Sequence, residues 1–175
     1  MTGNYKVFIA FDLGDTIMIE ETEEKDADGV TLRADLIPGL EGLLRRLANE
    51  GVLLGLIADT MIGTYKNVLK QHGLYDLFQV FSISDELGVR KPHPRMFNYA
   101  KEQAERKGFS GKDMLMVGNN YDRDIVGGKL AGYSTCWFYW NDRYPYDEGA
   151  SAADGTVTTA ADLSDWITKW SAERH

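Results

Sequence analysis

One cysteine, Cys136, and four prolines in 175 residues leave little to staple or punctuate this chain. A lone cysteine excludes an internal disulfide, so packing has to hold the fold, and it fits a reducing compartment such as the cytoplasm. Long apolar runs are missing as well: none approaches the roughly 20 residues of a membrane-spanning helix. The polar start Met1-Thr2-Gly3-Asn4-Tyr5-Lys6 does not read as a signal peptide. Basic residues are scarce, with 19 Lys and Arg against 27 Asp and Glu and a net charge of -8. That balance argues against nucleic acid or an anionic membrane surface as a partner. No repeat or linker interrupts the chain, so residues 1–175 read as one domain, long enough to bury a single large core.

What is present alternates between strand and helix. Val7 to Phe11 is an apolar run fit for a strand buried on both faces, and it stops at Asp12, with Gly14 two residues on. Residues 17–37 are acidic, and Asp28-Gly29 stands between Ile17-Met18-Ile19 and Val30-Thr31-Leu32. That pattern predicts a two-stranded flap turning at the dipeptide. Pro38-Gly39 opens a helix with Leu40, Leu43, Leu44 and Leu47 on one face. Further strands are expected over 52–57, 78–83, 114–117 and 135–140, and helices over 64–72, 94–107, 122–131 and 161–170. Residues 141–155 read as a long aromatic and acidic surface loop, with Trp140 to Tyr146 placed to wall a pocket. Such alternation means an α/β fold, a mostly parallel sheet with helices on both faces.

Parallel strands bring their C-terminal ends to one edge, where open α/β sheets bind ligands. Four polar clusters fall there: Asp12 with Thr16, Asp59-Thr60, Lys91, and Asn119 with Asp124. A carboxylate nucleophile, a cation beside it and an oxygen-rich metal site are the parts needed to move a phosphoryl group, whose charge must be neutralised in transfer. Each cluster has a plainer reading. Asp12 could cap a turn, and Asn119 and Asp124 could be the N-cap and first-turn acid of the next helix. Lysines are usually solvated, but Lys91 stands before Pro92 and Pro94 in a strand-end loop, which restrains it. His72 and His93 have no role in this pattern.

Taken together these segments resemble the haloacid dehalogenase-like hydrolases. Asp12-Leu13-Gly14-Asp15-Thr16-Ile17 is similar to the first motif of that family, D-x-D-G-[TV]-[LV]. Leu54 to Thr60 resembles the second, an apolar strand ending in Ser or Thr, and Arg90-Lys91-Pro92-His93-Pro94 the third. Val117-Gly118-Asn119-Asn120-Tyr121-Asp122-Arg123-Asp124-Ile125 is similar to the fourth. The resemblance implies a three-layer Rossmann-like α/β fold with a mostly parallel sheet of strand order 5-4-1-2-3, a β-hairpin flap over 17–37 and no large cap domain. It further implies Mg²⁺-assisted hydrolysis of a phosphate monoester through an aspartyl-phosphate on Asp12. Lys91 and Thr60 would be the other catalytic groups, with Asp59, Thr60 and Lys91 on the substrate. Asp12, the Gly14 carbonyl, Asn119 and Asp124 would hold the metal. With no cap, the site should lie open, with Asp12 and Lys91 reachable from solvent. Such a site suits a large phosphorylated substrate, or one whose pocket a second copy of the chain completes.

The departures are as informative as the matches. Gly14 stands where the family places a second aspartate that protonates the leaving group, and Asp15 comes one residue too late to be a safe substitute. This predicts weak activity. Ala58 occupies the strand-end Ser/Thr position, leaving Thr60 as the nearest hydroxyl. Asn119 replaces the first acid of the fourth motif and lowers the charge offered to a magnesium ion. Two other readings stay open: carbon–halogen hydrolysis, whose family members also lack the second aspartate and carry asparagine in the fourth motif, and a non-catalytic binding protein on the same frame.

Overall fold

A computed structural model of the chain describes residues 6–145 and 152–174. Its main sheet contains β1 (Phe8–Phe11), β4 (Leu53–Ala58), β5 (Phe78–Ile83), β6 (Met114–Gly118), β7 (Ser134–Phe138) and β8 (Gly155–Val157). The order is β5-β4-β1-β6-β7-β8, and every pairing is parallel. The five expected strands therefore take the expected order, read from the opposite edge. The added edge strand β8 falls where the sequence suggested that a loop was ending.

Side-chain alternation divides the core into two layers. Val7, Ile9 and Phe11 pack on one face of the sheet, with Leu54, Leu56, Leu115 and Val117. Phe8 and Ala10 pack on the other, with Leu53, Ile57, Met114 and Met116. A period of two with both faces apolar is what a central parallel strand requires. Helices α1 (Leu40–Asn49), α2 (Ile62–Gln71) and α6 (Ala160–Ala172) cover the first face, and α4 (Pro94–Arg106) the second. The α1 stripe Leu40, Leu43, Leu44 and Leu47 is buried as its spacing predicts. Between β5 and α4, a single turn of helix, α3 (Ser84–Leu87), stands where the sequence suggested only a loop.

Two local expectations are corrected. The flap is a hairpin, but its strands are β2 (Glu24–Lys25) and β3 (Thr31–Arg33). Ile17, Met18 and Ile19 are not its first arm: Ile17 and Met18 are core residues, and Met18 bridges Gly14 and Leu36. Their apolarity serves burial under the flap, not pairing within it. The turn does fall where expected. The Asp26 side chain accepts from the N–H groups of Asp28 and Val30, and Gly29 takes φ +82°, which costs a residue without Cβ little. The second correction concerns the helix expected over 122–131, which is a π-helical stretch (Tyr121–Val126) running into α5 (Gly127–Leu130). Tyr146 and the following residues of the expected loop, through Ser151, lie outside the described residues.

Register delivers the strand ends to one level. Phe11 is paired with Leu56 on one side and Val117 on the other, and the Asp12 N–H donates to the Val117 carbonyl at 3.0 Å. Asp12, the 58–60 segment and Gly118-Asn119 therefore leave the sheet side by side.

Candidate active site

Lys91 organises this edge. Its Nζ donates to Asp12 Oδ1 at 2.7 Å, to Asp124 Oδ1 at 2.7 Å and to the Ile57 carbonyl at 2.9 Å. All three ammonium protons are used, in near-ideal charge-assisted bonds. Lys91 is only 4 % exposed, so it is not reachable from solvent as the open-site expectation required. The physical reason is that three acceptors surround the ammonium and replace its water. Burial works to lower the Lys91 pKa, but the charges of Asp12, Asp124 and Asp59 outweigh it and raise it above the ordinary lysine value. Asp124 is pushed the unusual way for a paired acid, up to about 7. Burial is the main cause and the Asp12 charge the second, with Lys91 and the Asn120 N–H pulling down. Two carboxylates thus share one cation, and of the two it is Asp12 that keeps access, with 14 % of its side chain exposed.

Around this core the remaining strand-end groups take distinct positions. Asp59 Oδ1 accepts from the Lys91 N–H at 2.9 Å, so it steadies the loop that carries the lysine. Its Oδ2 is buried with no hydrogen-bond partner among the described residues, and the nearest cation is Arg123 Nη1 at 3.7 Å. The Thr60 N–H donates to Ser84 Oγ at 3.0 Å, and the Thr60 hydroxyl to the Met61 carbonyl at 3.4 Å. Asn120, not Asn119, caps the π-helical stretch, accepting from the Arg123 N–H at 3.1 Å. Asn119 is turned inward instead: Thr16 Oγ1 donates to its Oδ1 at 3.5 Å, and its Nδ2 is buried without a partner among the described residues. Asp124 combines the ion pair with a helix-start role, since its Oδ2 accepts from the Asn120 N–H at 3.1 Å. Gly118 is required beside it, because a Cβ there would fall on the Asp124 carboxylate. Among the described residues, His72 Nε2 lies 2.7 Å from the Ala34 carbonyl and His93 Nδ1 accepts from the Arg95 N–H at the start of α4. These are structural duties.

Asp15 leaves the pocket. It is fully buried at φ +51°, and its carboxylate accepts from the Glu20 N–H at 3.0 Å and from Arg143 Nε, while its carbonyl takes the Trp140 indole N–H at 2.7 Å. The acid that faces the cavity from this loop is Glu20. Its pKa is raised by burial first and then by Asp15, against the lowering effect of Arg143. A cavity of about 600 Å³ opens over Asp12, Gly14, Lys91, Asn119 and Asp124. Hairpin residues Glu23, Lys25, Gly29 and Thr31 form one wall and Tyr144 contributes to another. Sequence reasoning missed Glu20, Ser84, Arg90 and Arg123, all of which line this space. Arg90 and Arg123 lie inside the third and fourth motif stretches but at positions to which the resemblance assigns no role, Ser84 lies outside the motifs, and Glu20, an acid among several in the flap, carries no distinguishing signal.

The donors at the centre are hard oxygens: the Asp12 and Asp124 carboxylates, the Asn119 amide and the neighbouring Gly14 carbonyl. Among the described residues no cluster of three or more His, Cys, Asp or Glu side chains forms a metal cage. The donor chemistry fits magnesium, with two carboxylates in place of three and Lys91 competing for both.

The site is thus a carboxylate at the end of the central strand of a parallel α/β sheet, paired with a buried lysine in a polar cavity. The chain belongs to the haloacid dehalogenase-like hydrolase family, whose description matches residues 1–132. It is 33 % identical over 133 residues to the pyrimidine 5'-nucleotidase YjjG of Escherichia coli (strain K12), covering 76 % of this chain and 57 % of that protein. It is 35 % identical over 129 residues to the glyceraldehyde 3-phosphate phosphatase of Pyrococcus furiosus, covering 73 % of this chain and 52 % of that one. The chain thus spans little more than half the length of these relatives. A solved phosphatase of the family from Thermococcus onnurineus superposes with a TM-score of 0.75 at 20 % identity, covering 92 % of this chain and 97 % of the other, a likeness of fold.

Proposed function

We propose that this chain is a hydrolase of phosphate monoesters that works through an aspartyl-phosphate on Asp12. The observation that carries the reading is the Asp12–Lys91–Asp124 arrangement. Lys91 holds Asp12 at 2.7 Å in a fixed orientation and sets a permanent positive charge beside the place a phosphoryl group would occupy. Asp12 then attacks phosphorus in line with the leaving oxygen, the Lys91 ammonium offsets the charge on the phosphoryl oxygens, and water later splits the acyl phosphate. Thr60, with Ser84 beside it, is suited to hold phosphoryl oxygens, and Asp59 keeps the Lys91 loop in register. Magnesium would be held by Asp12, Asn119, Asp124 and the Gly14 carbonyl, and when bound it would add electrostatic neutralisation of the phosphate. Relatives named as phosphatase and nucleotidase support a phosphorylated substrate.

A polar lining that includes Asp59, Asp85, Arg90 and Arg123 suits a phosphate ester better than the apolar enclosure that a carbon–halogen substrate needs. We read the chain as one catalytic domain of the cytoplasm. The hairpin serves as a partial wall, and a large substrate or a second copy of the chain completes the rest. Among the described residues no helix is long and apolar enough to cross a membrane. The test is Asp12→Asn, which keeps shape and removes the nucleophile. Hydrolysis of an activated aryl phosphate should fall by at least about a thousandfold in a folded protein. A folded variant that retains most of the rate refutes the covalent mechanism.

A further inference from the structure

We propose that Glu20 is the acid and base of this site, standing in for the side chain that residue 14 lacks. The proposal rests on the phosphatase reading above. Gly14 leaves a gap where the resemblance places a carboxylate, and that gap is filled. A Cβ built on Gly14 would land on Glu20 Oε1, with Glu20 Cδ and Cγ each at 3.0 Å. The carboxyl group of Glu20 thus begins where the missing side chain would begin, and it lines the same cavity as Asp12.

The placement is built into the fold. Asp15 Oδ1 accepts from the Glu20 N–H at 3.0 Å and pins the backbone of residue 20 against the turn that follows Asp12. Arg143 binds Asp15 and lies 3.8 Å from Glu20 Oε2, so it sits behind the carboxyl group. The side chain is 31 % exposed, which leaves it room to swing toward a bound ester. Glycine at 14 and glutamate at 20 are therefore one arrangement: any side chain at 14 would displace the carboxyl group.

In the first half-reaction the Glu20 carboxylic acid gives its proton to the ester oxygen as the phosphorus–oxygen bond to the alcohol breaks and the bond from Asp12 Oδ to phosphorus forms. In the second, the Glu20 carboxylate takes a proton from water as the water oxygen bonds to phosphorus and the Asp12 acyl phosphate bond breaks. The products are the alcohol and inorganic phosphate, with both side chains restored.

The test compares kcat/KM for an alkyl phosphate, glycerol phosphate, with that for 4-nitrophenyl phosphate, whose leaving group departs as a stable anion. General acid catalysis contributes about 10²–10⁴-fold where a proton is needed. Glu20→Gln should therefore lower the alkyl-to-aryl ratio by about a hundredfold, a change that general loosening of the fold would not produce. Gly14→Asp introduced into Glu20→Ala should restore much of that ratio, by returning an acid to the vacated space. An unchanged ratio in Glu20→Gln, or a wild-type protein that cleaves only the aryl ester, overturns the role of Glu20 and leaves the phosphatase reading standing. A wild-type protein that cleaves neither ester overturns both.

Discussion

Replacing Lys91 by methionine tests the centre of the site without relying on any substrate. Methionine keeps the length of the chain and removes the ammonium, and with it the bonds to Asp12 at 2.7 Å, Ile57 at 2.9 Å and Asp124 at 2.7 Å. Asp124 has no exposed surface and cannot recover by hydration. Removing one partner of a buried ion pair typically costs about 3–5 kcal/mol, because the other charge is left uncompensated. The penalty should depend on pH. In the wild type the folded Asp124 pKa is about 7, above the ordinary carboxylate value, so the fold binds the extra proton below that pH. Above it the carboxylate ionises against Lys91. In the variant the cation is gone, the folded pKa moves further up, and keeping the proton costs about 1.4 kcal/mol for each pH unit beyond 7. The difference in stability between the two proteins, read from urea melts with a chelator present, should grow from pH 6 to pH 9. A loss below about 1 kcal/mol at pH 9, or a penalty that grows toward acid, would refute the reasoning.

Two further outcomes follow from other parts of the molecule. Asn119→Asp should tighten Mg²⁺ by roughly tenfold or more, the scale on which metal sites respond to a changed partner, measured by calorimetry alongside the activation curve; unchanged affinity would remove residue 119 from the metal set. Cys136 is buried in β7 and its thiol is pushed up to about 12, by burial first and then by Asp154. At pH 8 only about one molecule in 10⁴ would carry the thiolate, so alkylation should be slow in the native protein and fast in urea, and rapid native labelling would contradict the packing of β7.

The frame was legible because its signals are local or periodic. Val7 to Phe11 and Leu53 to Ala58 are apolar at every position or nearly so, and only a strand covered on both faces explains that in a chain of this size. The leucine spacing in α1 and Pro94 at the start of α4 named those helices directly. Other features depend on partners far away in the sequence. β8 is three residues long and exists because Cys136, Trp137 and Phe138 offer an edge to Gly155, Thr156 and Val157. The run Ile17-Met18-Ile19 on one side of Asp28-Gly29 suggests a hairpin arm, yet the apolar core takes Ile17 and Met18. Asn119 and Asn120 are adjacent and chemically alike, so only the direction of the chain leaving β6 decides which caps the helix and which turns inward.

Asp15 shows why a motif with one residue changed should be read through its hydrogen bonds. By position it is an acid displaced by one from the expected place, and a one-residue step at a tight turn rotates the side chain away from the cavity. Its φ of +51° is uncommon for a residue with a Cβ, and four contacts hold it there: its own N–H donating to the Met18 carbonyl at 2.7 Å, the Glu20 N–H and Arg143 on the carboxylate, and the Trp140 indole on the carbonyl. Trp140 and Arg143 follow β7, so Asp15 ties that far segment to the loop that begins at Asp12. A buried acid bonded in this way is committed to structure and cannot also exchange protons with a substrate. Its service to the site is indirect, since it fixes the backbone of Glu20, and the proton chemistry passes to the residue it fixes.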